Sequence, residues 1–307
     1  TFGEREGQLV AGFHKPGNWK EILDVERCWL APESVENLLR AAVEEGKRQG
    51  LSAWNPRIHE GTLRHLVVRH SVEEDALLAM ILTGDEKLDF EAFANAVFQA
   101  EPKLKGLLWG RNSGKSDVAR AEAILARRGE DRFDERLGRY HFQINLASFF
   151  QTNTRGAEEL YEVVREDLEL TGRERLLDAY CGTGTIGIFC ADQVKELYGV
   201  ELIQEAIWDA RENAMRNGIE GATFLAGDMR RVLQNLLNAI PGRIDRLVVD
   251  PPRGGMEQKA LAQLVAIKAP VVAYVSCNPT TMARDLQTAL NAGYKIEKVT
   301  PVDMFPQ

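Results

Sequence analysis

The sequence predicts an α/β chain in which a Rossmann-like, parallel-sheet domain follows an α+β domain. Three observations carry this expectation. From residue 146 onward, strand-like and helix-like segments alternate regularly. A glycine-rich turn, Gly182-Thr183-Gly184-Thr185-Ile186-Gly187, stands between the first of these strands and the helix after it. Residues 1–145 instead group short strands around two helices. Strands alternating with helices of this length build βαβ units on a parallel sheet, and such sheets bind ligands at the C-terminal ends of their strands.

In the first domain, Leu9–Phe13 and Ile22–Val25 read as strands joined by the turn Lys15-Pro16-Gly17-Asn18, whose proline and glycine preset turn dihedrals. Pro32–Gln49 reads as an amphipathic helix, because Val35, Leu38, Leu39, Ala42 and Val43 recur at helical spacing. Leu63–Arg69 and Ala76–Leu82 read as paired strands, Phe90–Ala100 as a helix, and Leu104–Trp109 and Tyr140–Ile144 as strands. The charged stretch Arg127–Arg139 reads as a surface loop. In the second domain, 146–307, strands are expected at Arg175–Leu177, Glu196–Val200, Ala222–Leu225, Arg246–Val249, Val271–Val275 and Tyr294–Val299. Helices are expected at Thr185–Ala191, Glu205–Asn217, Met229–Leu237, Met256–Ile267 and Thr280–Asn291.

A chain of 307 residues suits two domains of roughly 150 residues each. Its 44% hydrophobic and 27% charged residues exclude a disordered or collagen-like chain. No apolar run approaches the ~20 residues a membrane helix needs, so no membrane is expected as a partner. No signal peptide opens the chain. Four cysteines are too few for a disulfide scaffold and point to a cytoplasmic protein. The net charge of −8 argues against a general nucleic-acid coat protein but leaves room for a local basic face on RNA. Nothing in the sequence indicates a protein partner. The chain opens on Thr1-Phe2 and stops at Met304-Phe305-Pro306-Gln307, so it reads as a piece of a longer protein lacking both ends.

Three strand ends carry the chemistry. After the first strand, Gly182, Gly184 and Gly187 match G-x-G-x-x-G between a strand and a helix, where glycines permit a tight turn and close backbone approach to a ligand. The next strand ends at Glu201, placed to accept hydrogen bonds from ribose hydroxyls. A dinucleotide and S-adenosylmethionine both fit these features. Asp178 ahead of the loop makes the pattern D-x-Y-x-G-x-G, which resembles class I methyltransferases and favours S-adenosylmethionine. Gly227-Asp228, after the third strand, adds an acid where such enzymes hold the adenine. The fourth strand runs into Asp250-Pro251-Pro252-Arg253, whose prolines end the sheet and hold Asp250 over the site. A D-P-P-Y turn also occurs in methyltransferases acting on amino groups of bases, but Arg253 stands here in place of the stacking aromatic residue. The fifth strand leads to Ser276-Cys277-Asn278-Pro279-Thr280. Cys277 thus lies at a strand end on the ligand side and just before a helix, whose N-terminus favours the nucleophilic thiolate. Cys181 and Cys190 read as small core residues.

The motifs Ser148-Phe149-Phe150-Gln151-x-Asn153, D-A-Y-C-G-T-G-T-I-G, D-P-P-R-x-G, S-C-N-P-x-T-x-A-R-D-L and Val302-Asp303-Met304-Phe305-Pro306 follow in that order. Together they resemble the RNA uracil-5-methyltransferase family, which includes 23S rRNA and transfer-RNA members. The resemblance implies a class I S-adenosylmethionine-dependent methyltransferase domain preceded by an RNA-contacting α+β domain. It assigns Cys277 as a nucleophile that adds to carbon 6 of uracil and so activates carbon 5, a form of covalent catalysis. It matches Gln151, Tyr180, Glu201 and Asp250 to cofactor contacts and Thr185 to a more variable one. Asp228 joins them by position in the fold, and Asp250 also stands where it would face the uracil. The family's general base is a Glu a few residues beyond the last motif, past Gln307, so this chain alone is expected not to complete turnover; steady multiple turnover would overturn that. The last sheet strand is likewise expected to be missing, leaving its neighbour unpaired. The segment Ile22-Leu23-Asp24-Val25-x-x-Cys28-x-Leu30-Ala31-Pro32 resembles rRNA-modifying members and favours rRNA, with tRNA as the alternative. In cluster-bearing members Cys28 would be the last of four ligands to a [4Fe-4S] cluster. One cysteine cannot hold a cluster, so none is expected in this chain, where the other ligands and an RNA-binding barrel would lie upstream.

Other signals weigh less. Gly110-Arg111-Asn112-Ser113-Gly114-Lys115-Ser116 has three residues between its glycines where a phosphate-binding loop needs four, and reads as a turn. The five histidines show no metal spacing, and no metal is expected. Arg64, His65, Arg69 and His70 read either as a solvated sheet face or as a phosphate-contacting edge. A cytosine-5 RNA methyltransferase would carry a second cysteine after Pro252, where Arg253 stands. An NAD-dependent oxidoreductase and a non-catalytic RNA-binding relic are the remaining alternatives, and Cys277 argues against the relic.

Overall fold

The computed structural model describes the chain except residues 26, 116, 117, 147, 241, 306 and 307 and the side chains of Trp19 and Lys20. Ser116 of the glycine-lysine turn, Pro306 of the last motif and Gln307 therefore lie outside the described residues. The rest falls into two compact units, 1–135 with 144–146 and 136–143 with 148–305.

In the first unit, β1 (Phe2–Arg5), β2 (Gln8–Lys15) and β3 (Asn18–Asp24) form an antiparallel sheet. Helix α1 (Glu33–Arg48) buries Leu38 and Ala42 from the apolar stripe legible in its sequence. A four-stranded sheet follows in the order β4 (Leu63–Ser71), β5 (Ala76–Thr83), β6 (Leu104–Arg111), β7 (Ala123–Gly129). Strands β4 and β5 pair antiparallel, as the sequence leads one to expect. Strands β5 and β6 run parallel and are joined through α2 (Phe90–Ala100), capped by Asp89, which accepts a hydrogen bond from the Ala92 N–H. The core lies around Leu38, Leu63, Leu77, Ile81, Phe93 and Leu107.

Two readings of this unit are corrected. The charged stretch 127–139 is not a loop. It contains the end of β7 and a hairpin of β8 (Arg132–Leu137) and β9 (Tyr140–Asn145), the residues of which are shared between the two units. In β8 the buried residues are Phe133, Glu135 and Leu137, every second one, so a dense run of charges conceals a strand period. Glu135 is buried because its carboxylate accepts hydrogen bonds from the Val72 and Glu73 N–H groups after β4, at 2.8 and 3.2 Å. The second correction concerns Arg64 and His65, which are buried and form neither a solvated face nor a phosphate edge. The Arg64 guanidinium lies over the Trp54 ring and donates to the carbonyls of Asn112 and Gly114 at 2.8 and 2.7 Å. It thereby holds the glycine-lysine turn from beneath. His65 Nδ1 shares a hydrogen bond with Thr1 Oγ1.

The second unit is a five-stranded parallel sheet in the order β12-β11-β10-β13-β14. Its strands are β10 (Arg175–Ala179), β11 (Glu196–Glu201), β12 (Ala222–Ala226), β13 (Arg246–Val249) and β14 (Val271–Tyr274). Helices α3 (Thr154–Asp167), α4 (Thr185–Phe189), α5 (Gln204–Arg216), α6 (Met229–Ala239), α7 (Gln258–Ala266) and α8 (Pro279–Asn291) accompany them. The chain steps outward from β10 to β11 and β12, then returns to the other side of β10 for β13 and β14. That reversal puts the topological switch point at the C-terminal ends of β10 and β13, the usual ligand position in such sheets.

Helix α3 is absent from the sequence expectations, although Ala157, Tyr161, Val164 and Leu168 recur at helical spacing and are buried. The expected strand Tyr294–Val299 does not form. Its residues are largely exposed, and among the described residues β14 has no neighbour on its outer side. Alternating apolar residues make a strand only when a ladder satisfies their backbone groups. No helix among the described residues is long and apolar enough to cross a membrane.

Replacing Arg64 by Ala would strand the buried Asn112 carbonyl and the partly buried Gly114 carbonyl and uncover Trp54. We expect Arg64→Ala to lose about 3 kcal/mol of stability in urea unfolding followed by tryptophan fluorescence.

Candidate active site

The glycine loop is built by close packing on one side and open space on the other. Tyr180, Gly182 and Gly184 all have positive φ (66°, 53° and 80°). A Cβ on Gly184 would meet the Phe224 ring at 3.1 Å, and one on Gly199 in β11 would meet it at 2.3 Å. A Cβ on Gly187 would come within 2.8 Å of Leu197. At Gly182 a Cβ would meet nothing within 4 Å, so this glycine serves the turn and leaves the backbone open to a ligand.

Glu201 ends β11 beside that opening. Its carboxylate accepts from the Gly182 N–H at 3.3 Å and the Ile203 N–H at 3.0 Å, which fixes it at the strand tip with acceptor capacity to spare. Asp178 lies beneath the loop, fully buried. One oxygen accepts from the Gly187 N–H at 2.9 Å and the other has no partner. Burial, with the nearby charges of Asp250 and Glu201, pushes its carboxyl up to about 8. Asp250 ends β13, and burial pushes it up to about 6. Asp228 caps α6 instead of standing free. Arg230 holds it from its backbone N–H and its guanidinium, at 2.9 and 2.6 Å, and draws its carboxyl down to about 2. The half-buried Tyr180 phenol is raised by burial and by Asp285, Glu257, Asp228 and Glu201 around it.

Tyr161 of α3 connects the expected cofactor residues. Its buried hydroxyl lies 3.2 Å from Thr185 Oγ1 and hydrogen-bonds the Gln151 side chain. Burial, aided by the charges of Asp250 and Asp178, raises its phenol, so it stays neutral. The first and last of the ordered motifs also meet. Asn153 caps α3 through Gly156 and donates from Nδ2 to the Met304 carbonyl at 2.9 Å.

Cys277 is exposed between β14 and α8. Strand pairing of β13 with β14 continues one step further, from the Val275 N–H to the Val249 carbonyl at 2.9 Å, so the Asp250 and Cys277 turns leave the sheet side by side. Helix α8 then ties the two turns together. Asn278 Nδ2 and Thr281 Oγ1 both donate to the Arg253 carbonyl, at 3.2 and 3.3 Å. Asp285, with no exposed surface, accepts from the Met256 N–H, the Tyr274 hydroxyl and Arg284 at 2.7, 2.8 and 2.7 Å. Arg284 reaches on to the Gly254 carbonyl at 3.1 Å. Gly255 has φ +76°, and a Cβ there would fall 2.4 Å from Arg284 and 2.7 Å from Asp285. The Arg-Asp pair in the cysteine motif and the glycine in D-P-P-R-x-G are thus two halves of one clamp. Sequence reasoning found both motifs but not their contact, which spans about thirty residues of chain. Cys181 and Cys190 are buried, and burial pushes both thiols up.

The model for the tRNA (uracil-5-)-methyltransferase family matches residues 118–307. The chain belongs to this family. An uncharacterized RNA methyltransferase of Caldanaerobacter subterraneus is 38% identical over 312 residues, covering 100% of this chain and 68% of its own length. Another, of Halalkalibacterium halodurans, is 36% identical over 305 residues, covering 99% and 66%. The chain therefore spans about two thirds of the length of the curated relatives it matches. The crystal structure of Pyrococcus abyssi tRNA (uracil-54, C5)-methyltransferase in complex with S-adenosyl-L-homocysteine superposes with a TM-score of 0.78 at 29% identity, covering 99% of this chain and 71% of that one.

The second unit is the S-adenosylmethionine-dependent RNA uracil-5-methyltransferase domain of this family. The residues present fit that cofactor. The backbone at Gly182 is open, Glu201 is fixed as an acceptor, and Gly184 in the loop, Gly187 in α4 and Gly199 in β11 let the loop pack against the sheet. An iron–sulfur cluster does not fit. Cys28 is the single cysteine of the first unit, and no group of three or more ligands among the described residues could hold a metal.

Asp178 binds its proton up to about pH 8 when folded and loses it near pH 4 when unfolded. The folded state therefore holds more protons in this interval, and stability falls as pH rises through it. Asp250 adds the same sign only up to about pH 6. In Asp178→Asn, denaturant-measured stability is expected to lose its slope between pH 6 and 8. Asp285→Ala removes a buried partner from Arg284, Tyr274 and Met256, and is expected to cost about 3–5 kcal/mol. Limited proteolysis should then cut the 251–257 loop in the variant before the wild type.

Proposed function

We propose that the protein methylates carbon 5 of a uridine in RNA, with 23S rRNA as the favoured substrate, through a covalent adduct on Cys277. The observation that carries this reading is the clamp that brings the Asp250–Arg253 turn to the Cys277 turn. It joins a carboxylate, a guanidinium and an accessible thiol at the C-terminal end of a parallel sheet.

When bound, S-adenosylmethionine would supply an electrophilic methyl group and leave as S-adenosylhomocysteine, the S–CH3 electron pair staying on sulfur. Gln151, Tyr180, Thr185, Glu201, Asp228 and Asp250 are the proposed cofactor contacts, with Glu201 accepting from the ribose hydroxyls. Asp228 would have to do so while held by Arg230, which suits a rim contact. The Cys277 thiolate adds to carbon 6 of the uracil, breaking the 5,6 double bond and placing an enolate electron pair at carbon 5. Carbon 5 takes up the methyl group. A base removes the carbon 5 proton, the double bond re-forms, and the thiolate departs. By family resemblance the base is a Glu downstream of the Met304-Phe305 segment. The pKa of Asp250, about 6, leaves it mostly ionised at neutral pH, ready to accept a hydrogen bond from the uracil N3–H or the cofactor.

The first unit is proposed as the RNA-contacting domain, and the cytoplasm as the location. The Cys28 segment favours rRNA. Transfer RNA is the second reading, since the Pyrococcus relative acts on tRNA uracil-54.

The test is covalent capture. The chain is incubated with S-adenosylmethionine and uridine-containing rRNA or tRNA fragments, denatured and read by mass spectrometry. An RNA adduct on Cys277 carrying one added methyl is expected, and the RNA that reacts names the substrate. Cys277→Ser should bind cofactor as the wild type does and form no adduct. A folded, cofactor-binding wild type that gives no adduct with either RNA would overturn the proposal.

A further inference from the structure

A cavity of about 820 Å³ lies wholly within the first unit, and the methyl-transfer chemistry does not use it. Its size falls within the range of about 300–1,000 Å³ typical of small-ligand sites. One wall is the loop from Ser52 to Gly61. This loop is held as a fixed shape, with the Asn55 N–H on the Glu60 carbonyl at 2.7 Å, the His59 N–H on the Asn55 carbonyl at 2.8 Å and the Arg57 N–H on Asn55 Oδ1 at 3.0 Å. His59 adopts φ +58°, a conformation uncommon for a side chain of its size, and so turns the tip.

The tip presents three consecutive exposed side chains, Arg57, Ile58 and His59. Arg57 makes no ion pair among the described residues. Behind them, the Trp54 indole is pinned in place. A Cβ on Gly84 would strike it at 2.3 Å, and the Arg64 guanidinium lies 4.5 Å from its centre. The His59 ring stands 6.3 Å from the indole at 44°. The Trp54 Nε1 is buried and has no hydrogen-bond partner. Lys87 adds a second exposed cation at the rim, paired at 3.2 Å with Asp85, which also accepts from the Thr62 hydroxyl and the Lys87 N–H, and the exposed Glu60 supplies a further carboxylate.

An exposed imidazole and an apolar isoleucine at the mouth of a cavity, with an unpaired guanidinium beside them and carboxylates on the lining, match the chemistry of an unstacked nucleobase and its phosphate. Single-stranded RNA is recognised in this way, by stacking on aromatic and guanidinium planes and by hydrogen bonds to base edges. The carboxylates suit amino and imino N–H donors of a base edge. We infer that this cavity is a second RNA subsite, which receives one extruded nucleobase outside the target uridine, stacks it against Ile58 and His59, and holds its phosphate on Arg57. This rests on the RNA reading of the methyltransferase site.

The experiment uses the full chain and a short single-stranded, uridine-containing RNA carrying 4-thiouridine, followed by anisotropy and photo-cross-linking. Arg57→Ala and His59→Asn are compared with Arg173→Ala, which removes an exposed cation of the second unit. Asparagine tolerates positive φ, so His59→Asn removes the ring without breaking the turn. S-adenosylmethionine affinity, read by calorimetry, reports that the second unit is intact. Each loop variant is expected to weaken RNA binding at least fivefold, the low end for one stacked base, with cross-links mapping to 54–59 and Arg173→Ala unchanged. Wild-type binding that both loop variants retain, with no cross-link in 54–59, overturns the subsite alone. A wild type that binds cofactor but no RNA overturns the RNA reading and the subsite with it.

Discussion

Asp285 is a fully buried carboxylate, and the C-terminal ends of β13 and β14 are arranged around satisfying it. Burying a charge without partners is costly, so the chain must bring donors to it. Those donors come from three places: Tyr274 at the end of β14, Met256 after the Pro-Pro turn, and Arg284 beside it on α8. Meeting that demand draws the loop after β13 against the helix that follows Cys277. Gly255 is the residue whose missing side chain lets this happen. Asp250 and Cys277 thus owe their common neighbourhood to residues that need not touch substrate themselves.

At the ends of β10 and β13, the two strands that meet at the switch point, the organising force is desolvation. Asp178 and Asp250 lie in low-dielectric surroundings that raise both carboxyls, and Asp178 lies higher because it is the more deeply buried and feels the charges of Asp250 and Glu201. Tyr161 sits among them as a neutral hydrogen-bonding group between Gln151 and Thr185. Glu201, fixed by two N–H groups, and Asp228, held by Arg230, are the acids nearer the surface.

The first unit follows a parallel logic with a cation. Arg64 is buried under the Trp54 ring and donates to two loop carbonyls. A guanidinium that holds the 112–114 turn and backs an indole works as a structural pin. The same pin stiffens the wall of the first-unit cavity. The side chains of Arg57, Ile58 and His59 at the loop tip are exposed instead.

The family was legible in the sequence through its ordered motifs, and so were the residue types that end each strand, because short segments carry both. Helix and strand periods, a glycine turn between strand and helix, and acids and a cysteine at strand ends are all properties of short segments. Helix α3 escaped notice because its polar residues dilute the stripe of Ala157, Tyr161, Val164 and Leu168, and with it went Tyr161. Strands β7 and β8 escaped because charge density masked a period of two, with Glu135 buried among them. The strand expected at Tyr294–Val299 had the right pattern but no ladder to join. By itself the sequence determined which residue types stand at the end of each strand. Tertiary structure alone decided which of those ends face one another, which charges are buried, and which are spent on partners such as Arg230 or Arg64. Burial and pairing depend on residues far apart in the chain, and no local spacing records them.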